Sequence, residues 1–198
     1  GIRKKRSQYS SLDGAHFRLV RSTSTNNGRK ALEVSVDKIK DLRQRTGAGV
    51  MGCKRALEEA EGDLEQAETL LREQGLADAA KKAGRTTGEG LVEAYIHMGG
   101  RLGALVEVNC ETDFVARTDD FRALAHDLAM QVAAMSPQYI DISDVPEGEQ
   151  VVYQEACLLQ QPFIKDPARS VQDLVNEAIG KLGENVKVGR FARLSIGE

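Results

Sequence analysis

From Ser35 onward the apolar positions keep a helical period. Val36, Ile39 and Leu42 recur every third residue and share one helix face. Gly47 should end that helix, because glycine adopts the left-handed turn that closes a helix C-terminus. A second helix is predicted to turn Met51, Ala56, Leu57 and Ala60 inward and to break at Gly62-Asp63. Asp63 suits the N-cap of a third helix, which carries Leu64, Ala67, Leu70 and Leu71 and is expected to stop at Gly75. Three short helices of this kind make a bundle too small to hold much core by itself.

The chain continues helical and basic over Ala77–Ala83, and GRTTGEG (Gly84–Gly90) then reads as a flexible linker. The period changes there. LVEAYIH (Leu91–His97) and LGALVEVNC (Leu102–Cys110), joined through Met98-Gly99-Gly100-Arg101, predict a β-hairpin. A helix from about Asp120 to Ala134 presents Phe121, Leu124, Leu128 and Val132. Pro137–Ile142 suggests an edge strand, helices are expected near Glu147–Leu159 and Ser170–Leu182, and Asn185–Ile196 closes the chain as a strand. The fold class is therefore α+β, with a small antiparallel sheet and helices packed on it. The boundaries are a tail over residues 1–34, a helical domain over 35–75, a linker over 76–90 and an α+β core over 91–198.

Charge sets the tail apart. Residues 1–34 carry eight Lys or Arg against Asp13 and Glu33, while the whole chain has a net charge of −3. The tail is rich in Ser, Arg and Asn, lacks an apolar period and reads as disordered or loosely attached. It begins with Gly, as a processed, engineered or truncated terminus would; a transit-peptide remnant, a tag and a start assigned too far upstream all fit it. Beyond residue 34 the chain is strongly acidic, which argues against direct nucleic-acid binding, because phosphate contacts need clustered cations. A protein is the better partner. No apolar run approaches the roughly 20 residues of a membrane-spanning helix. Cys53, Cys110 and Cys157 are far apart and odd in number, which disfavours a disulfide framework or a structural zinc site and favours small buried thiols. His16, His97 and His126 are scattered, so neither a metal site nor a catalytic constellation is expected.

TGAGVMGCKR (Thr46–Arg55) spaces its glycines as Gly47-x-Gly49-x-x-Gly52. A dinucleotide fingerprint needs a strand before such glycines, and the segment before these has a helical period. The phosphate-binding P-loop also fails, because Cys53 intervenes before Lys54 and Arg55 stands where Ser or Thr should meet magnesium. The glycines are read as a turn between two helices, with Val50 and Met51 either packed into the bundle or exposed as a docking pair. A Rossmann-like oxidoreductase is accordingly disfavoured, and no cofactor is expected. EVNCETDFVAR (Glu107–Arg117) is the other unusual stretch. Phe114 follows Glu111, Thr112 and Asp113 where a turn or helix start is expected. It is either a wedge for a partner or the first core residue of a helix capped by Asp113.

LRQRTGAGVMGCKRAL (Leu42–Leu57) and EVNCETDFVAR together resemble the two signature regions of the bacterial-type elongation factor Ts family. AAKKAGR (Ala79–Arg85), QPFIKDP (Gln161–Pro167) and GENVKVGRFAR (Gly183–Arg193) are similar to further family segments, so the resemblance runs from residue 35 to about 196. It departs at Gly52, where family members usually carry an acidic residue. The resemblance implies a ubiquitin-associated-like three-helix domain followed by a single α+β core, as in the short, pairing form of the family. It implies guanine-nucleotide exchange on elongation factor Tu without covalent chemistry, and no resident metal. Thr112, Asp113, Phe114 and Val115 would then enter the GTPase domain of elongation factor Tu, and Arg43, Val50 and Met51 would dock the helical domain on it. The implied location is the cytoplasm, or an organelle matrix if the tail is a transit remnant. A basic-tailed ribosome- or RNA-associated protein is the alternative reading.

Overall fold

A computed structural model of the chain describes residues 34–197; the expectations for the basic tail and His16 lie outside them. Helix α1 (Val36–Thr46) opens with the Ser35 hydroxyl accepting from the Lys38 N–H and closes on Gly47 at φ +65°. Helix α2 (Val50–Glu59) begins at Gly49, and α3 (Leu64–Lys82) is capped by the Asp63 carboxylate, which accepts from the Gln66 N–H. Leu42, Cys53, Ala56, Leu57, Ala60 and Ala67 form the core between these helices, with Ile39, Leu64, Leu70 and Leu71 packed around it. Met51 departs from the sequence reading. It faces solvent, and Cys53 takes the inward position. The helix starts at Val50, and within its first turn Val50 and Met51 are exposed while Cys53 is buried.

Helix α3 runs through Gly75 rather than ending there. The cause is tertiary. Gly75 faces Gly180 of α7 (Val171–Leu182) so closely that a Cβ on Gly180 would stand 3.5 Å from the Gly75 Cα. The two backbones meet where neither carries a side chain, and this packing outweighs the poor helix propensity of glycine.

Strands β1 (Glu89–Ile96), β2 (Leu102–Cys110) and β5 (Lys187–Ser195) form an antiparallel sheet in the order β1-β2-β5. Gly99 and Gly100, both at positive φ, turn the β1–β2 hairpin. Gly90 has no room for a side chain: a Cβ there would collide with the Val108 carbonyl oxygen. The inner sheet face carries Ala104, Val106, Val108 and Cys110, all buried. Against it lies α5 (Asp119–Met135), and α7 packs in turn on α5 and α3. The two helices contribute Phe121, Leu124, Leu128, Val132, Val171, Val175 and Ile179 to one core with the sheet. The result is the expected α+β class.

Between α5 and α7 the sequence reading fails twice. Pro137–Ile142 forms no strand. Tyr139 makes one isolated bridge to Cys157, and a single 3-10 turn follows over Ile142–Asp144, boxed by the Asp141 and Asp144 carboxylates. The long helix expected near Glu147–Leu159 shrinks to α6 (Tyr153–Ala156) and a 3-10 turn; Gly148, at positive φ, turns the chain where the expected helix would have begun. The hairpin of β3 (Pro162–Phe163) and β4 (Asp166–Ser170) then leads into α7. Buried Gln131 of α5 locks this region. Its amide donates to the Gln161 side chain and the Pro162 carbonyl, and its oxygen accepts from the Ile164 N–H.

Candidate functional site

The ETDFVAR stretch lies just past the end of β2. Strand pairing stops at Cys110, and the next backbone N–H groups need acceptors outside the sheet. They find one carboxylate. The N–H groups of Glu111 and Thr112 donate to Glu184 Oε2 at 3.1 and 3.0 Å, and the Thr112 hydroxyl donates to Glu184 Oε1 at 2.6 Å. Glu184 follows Gly183, the left-handed C-cap of α7. A turn that is remote in sequence therefore holds the base of the loop.

Thr112, not Asp113, caps the four-residue helix α4 (Asp113–Ala116), its Oγ1 accepting from the Val115 N–H. Asp113 lies in the first turn, where a carboxylate suits the helix N-terminus, and pairs with Arg117 at 2.8 Å. Val115 packs against the core and Ala116 is buried in it. Phe114 does neither: it is 79% exposed. The structure thus decides against the reading in which Phe114 is the first core residue of a helix. A four-residue helix has no intrinsic stability. The cap, the Asp113–Arg117 pair, Val115 and Glu184 hold it, and Phe114 is left facing solvent on a fixed support.

Further contacts brace the loop. Glu111 accepts from the Asn185 N–H at 2.7 Å and pairs with Arg85 at 3.3 Å. These partners, the N–H first, hold the Glu111 carboxyl below its ordinary range. The Asn185 side chain, 1% exposed, donates to the carbonyls of Arg85 and Ala83 just past α3. Cys110 turns into the core, its Sγ 3.1 Å from the Thr112 carbonyl oxygen. Burial, reinforced by the Glu184 charge, pushes its thiol pKa up. Cys110, Glu111 and Asp113 thus each face a different partner.

The other sequence-predicted residues stand on the helical bundle. Val50 and Met51 open α2 and are 49% and 65% exposed. Arg43 is exposed on α1 across the Gly47 turn. These three share the α1–α2 end, while Thr112–Val115 lie on a separate element. The three glycines of the apparent fingerprint have separate roles. Gly47 ends α1, Gly49 precedes α2, and Gly52 lies inside α2 with room beside Leu71. A helix precedes them, so the turn lacks the strand that a dinucleotide site requires. Cys53, Cys110 and Cys157 are all buried and free. His97 and His126 flank Tyr95, with Tyr95 Oη 3.1 Å from His97 Nδ1, and His126 Nδ1 lies 3.1 Å from Glu93 Oε1.

Sequence reasoning missed Glu184, Asn185 and Arg85 as supports. The available signal was Gly183-Glu184-Asn185: a helix-ending glycine followed by two residues with strong acceptor and donor groups, at the mouth of the last strand.

The outer face of the sheet carries exposed apolar side chains. Register places Ala94, Leu105 and Ala192 in one row across the three strands, and Ile96, Gly103 and Leu194 in the next. Ile96, Leu105, Leu194 and Ile196 are exposed there, around a shallow groove of about 540 Å³. The face turns polar toward its other end, where Glu107 holds Arg190 and Asn109. Among the described residues, no helix is long and apolar enough to cross a membrane.

Comparison with known proteins places this geometry. Residues 58–151, which contain the β1–β2 hairpin, the Phe114 turn and α5, match the family described as Elongation factor TS. The chain is similar to the elongation factor Ts of Moorella thermoacetica, with 55% identity over 190 residues, taking in 81% of this chain and 94% of the relative. It is 52% identical to that of Carboxydothermus hydrogenoformans over 81% of this chain and 88% of the relative. It is 49% identical to that of Thermotoga maritima over 84% and 98%.

Proposed function

Because the chain belongs to the elongation factor Ts family, and so to the factors of translation elongation, we propose that it is the guanine-nucleotide exchange factor of elongation factor Tu, acting by binding alone. The observation that carries this reading is the exposure of Phe114 on a braced turn. An aromatic ring left in water forgoes the roughly 1.5–3 kcal/mol that burial of such a side chain supplies. The neighbouring groups fix its support while leaving the ring free, which suits a wedge that is buried only in a partner.

In this reading Phe114 enters the GTPase domain of elongation factor Tu, with Thr112, Asp113 and Val115 around it. The intrusion disturbs the partner's magnesium and phosphate region, where Mg²⁺ tolerates little distortion of its octahedral shell. Arg43, Val50 and Met51, on a ubiquitin-associated-like domain, dock on the same GTPase domain and supply affinity. The energetics are those of coupling. A factor that binds the nucleotide-free partner better than the GDP-bound one weakens GDP by the same ratio. Each tenfold in that ratio requires about 1.4 kcal/mol of differential contact. No covalent bond changes, and the factor needs no cofactor or metal of its own. The place of action is the cytoplasm.

The exposed sheet face supports a homodimer in which the Ala94–Leu105–Ala192 and Ile96–Gly103–Leu194 rows meet their copies. Each protomer then presents one Phe114 turn to its own partner molecule.

Release of fluorescent GDP from purified elongation factor Tu tests the central claim. The wild-type chain is expected to accelerate release strongly. Phe114→Ala is expected to lose most of that acceleration while still docking through the helical domain. Loss of docking with normal release from the bound state would overturn the wedge role, and no acceleration by the folded wild type would overturn the exchange reading.

A further inference from the structure

We infer that Glu184 and Asn185 are positioning residues: they hold the Phe114 turn in its working orientation and link it to the end of α3, so that the wedge and the helical domain meet the partner as one rigid unit. The inference rests on the exchange reading above.

Glu184 commits both carboxylate oxygens to the loop. Oε2 takes two consecutive backbone N–H groups, and Oε1 takes the Thr112 hydroxyl. Hydrogen bonds to an ionised acceptor are about twice as strong as neutral ones. The Thr112 hydroxyl is also the acceptor for the Val115 N–H. A hydroxyl rotates freely until its proton is engaged. By taking that proton, Glu184 aims the remaining lone pairs at the helix. Without Glu184, two backbone donors lose their acceptor and the cap of α4 loses its orientation. Nothing in a four-residue helix could replace it.

Asn185 extends the brace in the other direction. Its backbone N–H holds Glu111, and its buried amide holds the carbonyls of Ala83 and Arg85. Arg85 closes the loop by pairing with Glu111. The α7–β5 turn thus touches both the segment that leaves the helical domain and the base of the Phe114 turn. Lys82, in the last turn of α3, adds a hydrogen bond to the Ile179 carbonyl of α7. The junction of α3 and α7 at Gly75 and Gly180 lies along the same helix pair. A partner engaged at both Arg43–Met51 and Phe114 therefore meets two elements whose separation is set by this brace.

The test uses the full chain with Glu184→Ala, Glu184→Gln and Phe114→Ala, singly and with Glu184→Ala and Phe114→Ala combined. Glu184→Ala is expected to lower the maximal GDP-release rate about tenfold, the scale of one charge-assisted contact. The half-saturating concentration should change by less than about threefold, since docking is shared with the helical domain. Glu184→Gln, which keeps an acceptor but not the charge, should fall between. In the Phe114→Ala background, Glu184→Ala should cost little more, because residues acting as one unit are not additive. Amide hydrogen exchange is the readout independent of activity: Glu111 and Thr112 should exchange at least about tenfold faster in Glu184→Ala. Unchanged protection of those amides, or losses that multiply in the double variant, would overturn the inference. So would a rate defect that disappears at a temperature where the variant is fully folded. If the wild type fails to release GDP, the exchange reading falls, and amide exchange still decides whether Glu184 holds the turn.

Discussion

Phe114 and Phe121 are near neighbours in the chain with opposite surroundings. Phe121 is fully buried in the core that α5 shares with the sheet, while Phe114 is exposed beyond the end of β2. Phe121→Ala should therefore cost about 3–5 kcal/mol of folding stability through lost burial and a residual cavity. Phe114→Ala should stay within about 0.5 kcal/mol of wild type. Denaturant titration of both variants separates the two roles, and a large loss in Phe114→Ala would show the ring to be packed. Glu111 gives a pH dependence at the same scale. Its carboxyl is held below the ordinary range, chiefly by the Asn185 N–H and then by Arg85. A depressed carboxylate contributes stability that is fully present above its unfolded pKa of about 4.3 and is lost as pH falls through the folded value. Glu111→Gln should thus narrow the difference in urea midpoint between pH 7 and pH 4. An unchanged difference would mean that other carboxylates govern acid unfolding. Glu177 runs in the opposite direction. Burial raises its pKa despite Arg169, so the folded state loses relative stability as pH rises through that range.

At the scale of elements, glycine has several distinct uses. Gly47 ends a helix at positive φ, and Gly75 and Gly180 let two helices touch. Gly52 does none of these things. It sits in the interior of α2, at the position where the family resemblance implies an acidic residue, and a Cβ there would meet Leu71 at an ordinary 3.8 Å. Gly52→Ala should accordingly stabilise the chain by about 0.5–1 kcal/mol through helix propensity and reduced unfolded-state entropy. A thermal melt checks this, and destabilisation would reveal a close contact at Leu71. The short α4 is the contrasting case. Its sequence supplies a cap and one ion pair, and its persistence comes from a carboxylate on another element.

For the whole molecule, the decisive feature is that one face of the three-stranded sheet packs on α5 while the other is open and partly apolar. Large exposed apolar faces on sheets mark association surfaces. Sedimentation should find wild type at twice the monomer mass, and Leu194→Asp, which places a charge among the exposed apolar side chains of that face, should give monomers. A wild-type monomer at micromolar concentration would remove the dimer from the proposal. Leu194→Asp should leave single-protomer GDP release largely intact, since Leu194 and Phe114 lie on different parts of the core.

The sequence alone determined much of this protein. Apolar period fixed α1, α2, α5, α7 and the hairpin, because each buries one face and its spacing must match its geometry. Glycines marked the turns, and the Thr112–Val115 segment was visible as an odd run of polar groups before an aromatic. What periodicity could not decide was direction and support. Met51 looks inward by spacing and Phe114 reads equally as a wedge or a core residue, and only the assembled bundle and sheet show that both face solvent. Gly75 reads as a stop until α7 packs against it. Glu184 reads as a surface acid until the chain returns it to the mouth of β2. These are contacts between elements far apart in sequence, and local pattern carries no information about which distant surface a residue will meet.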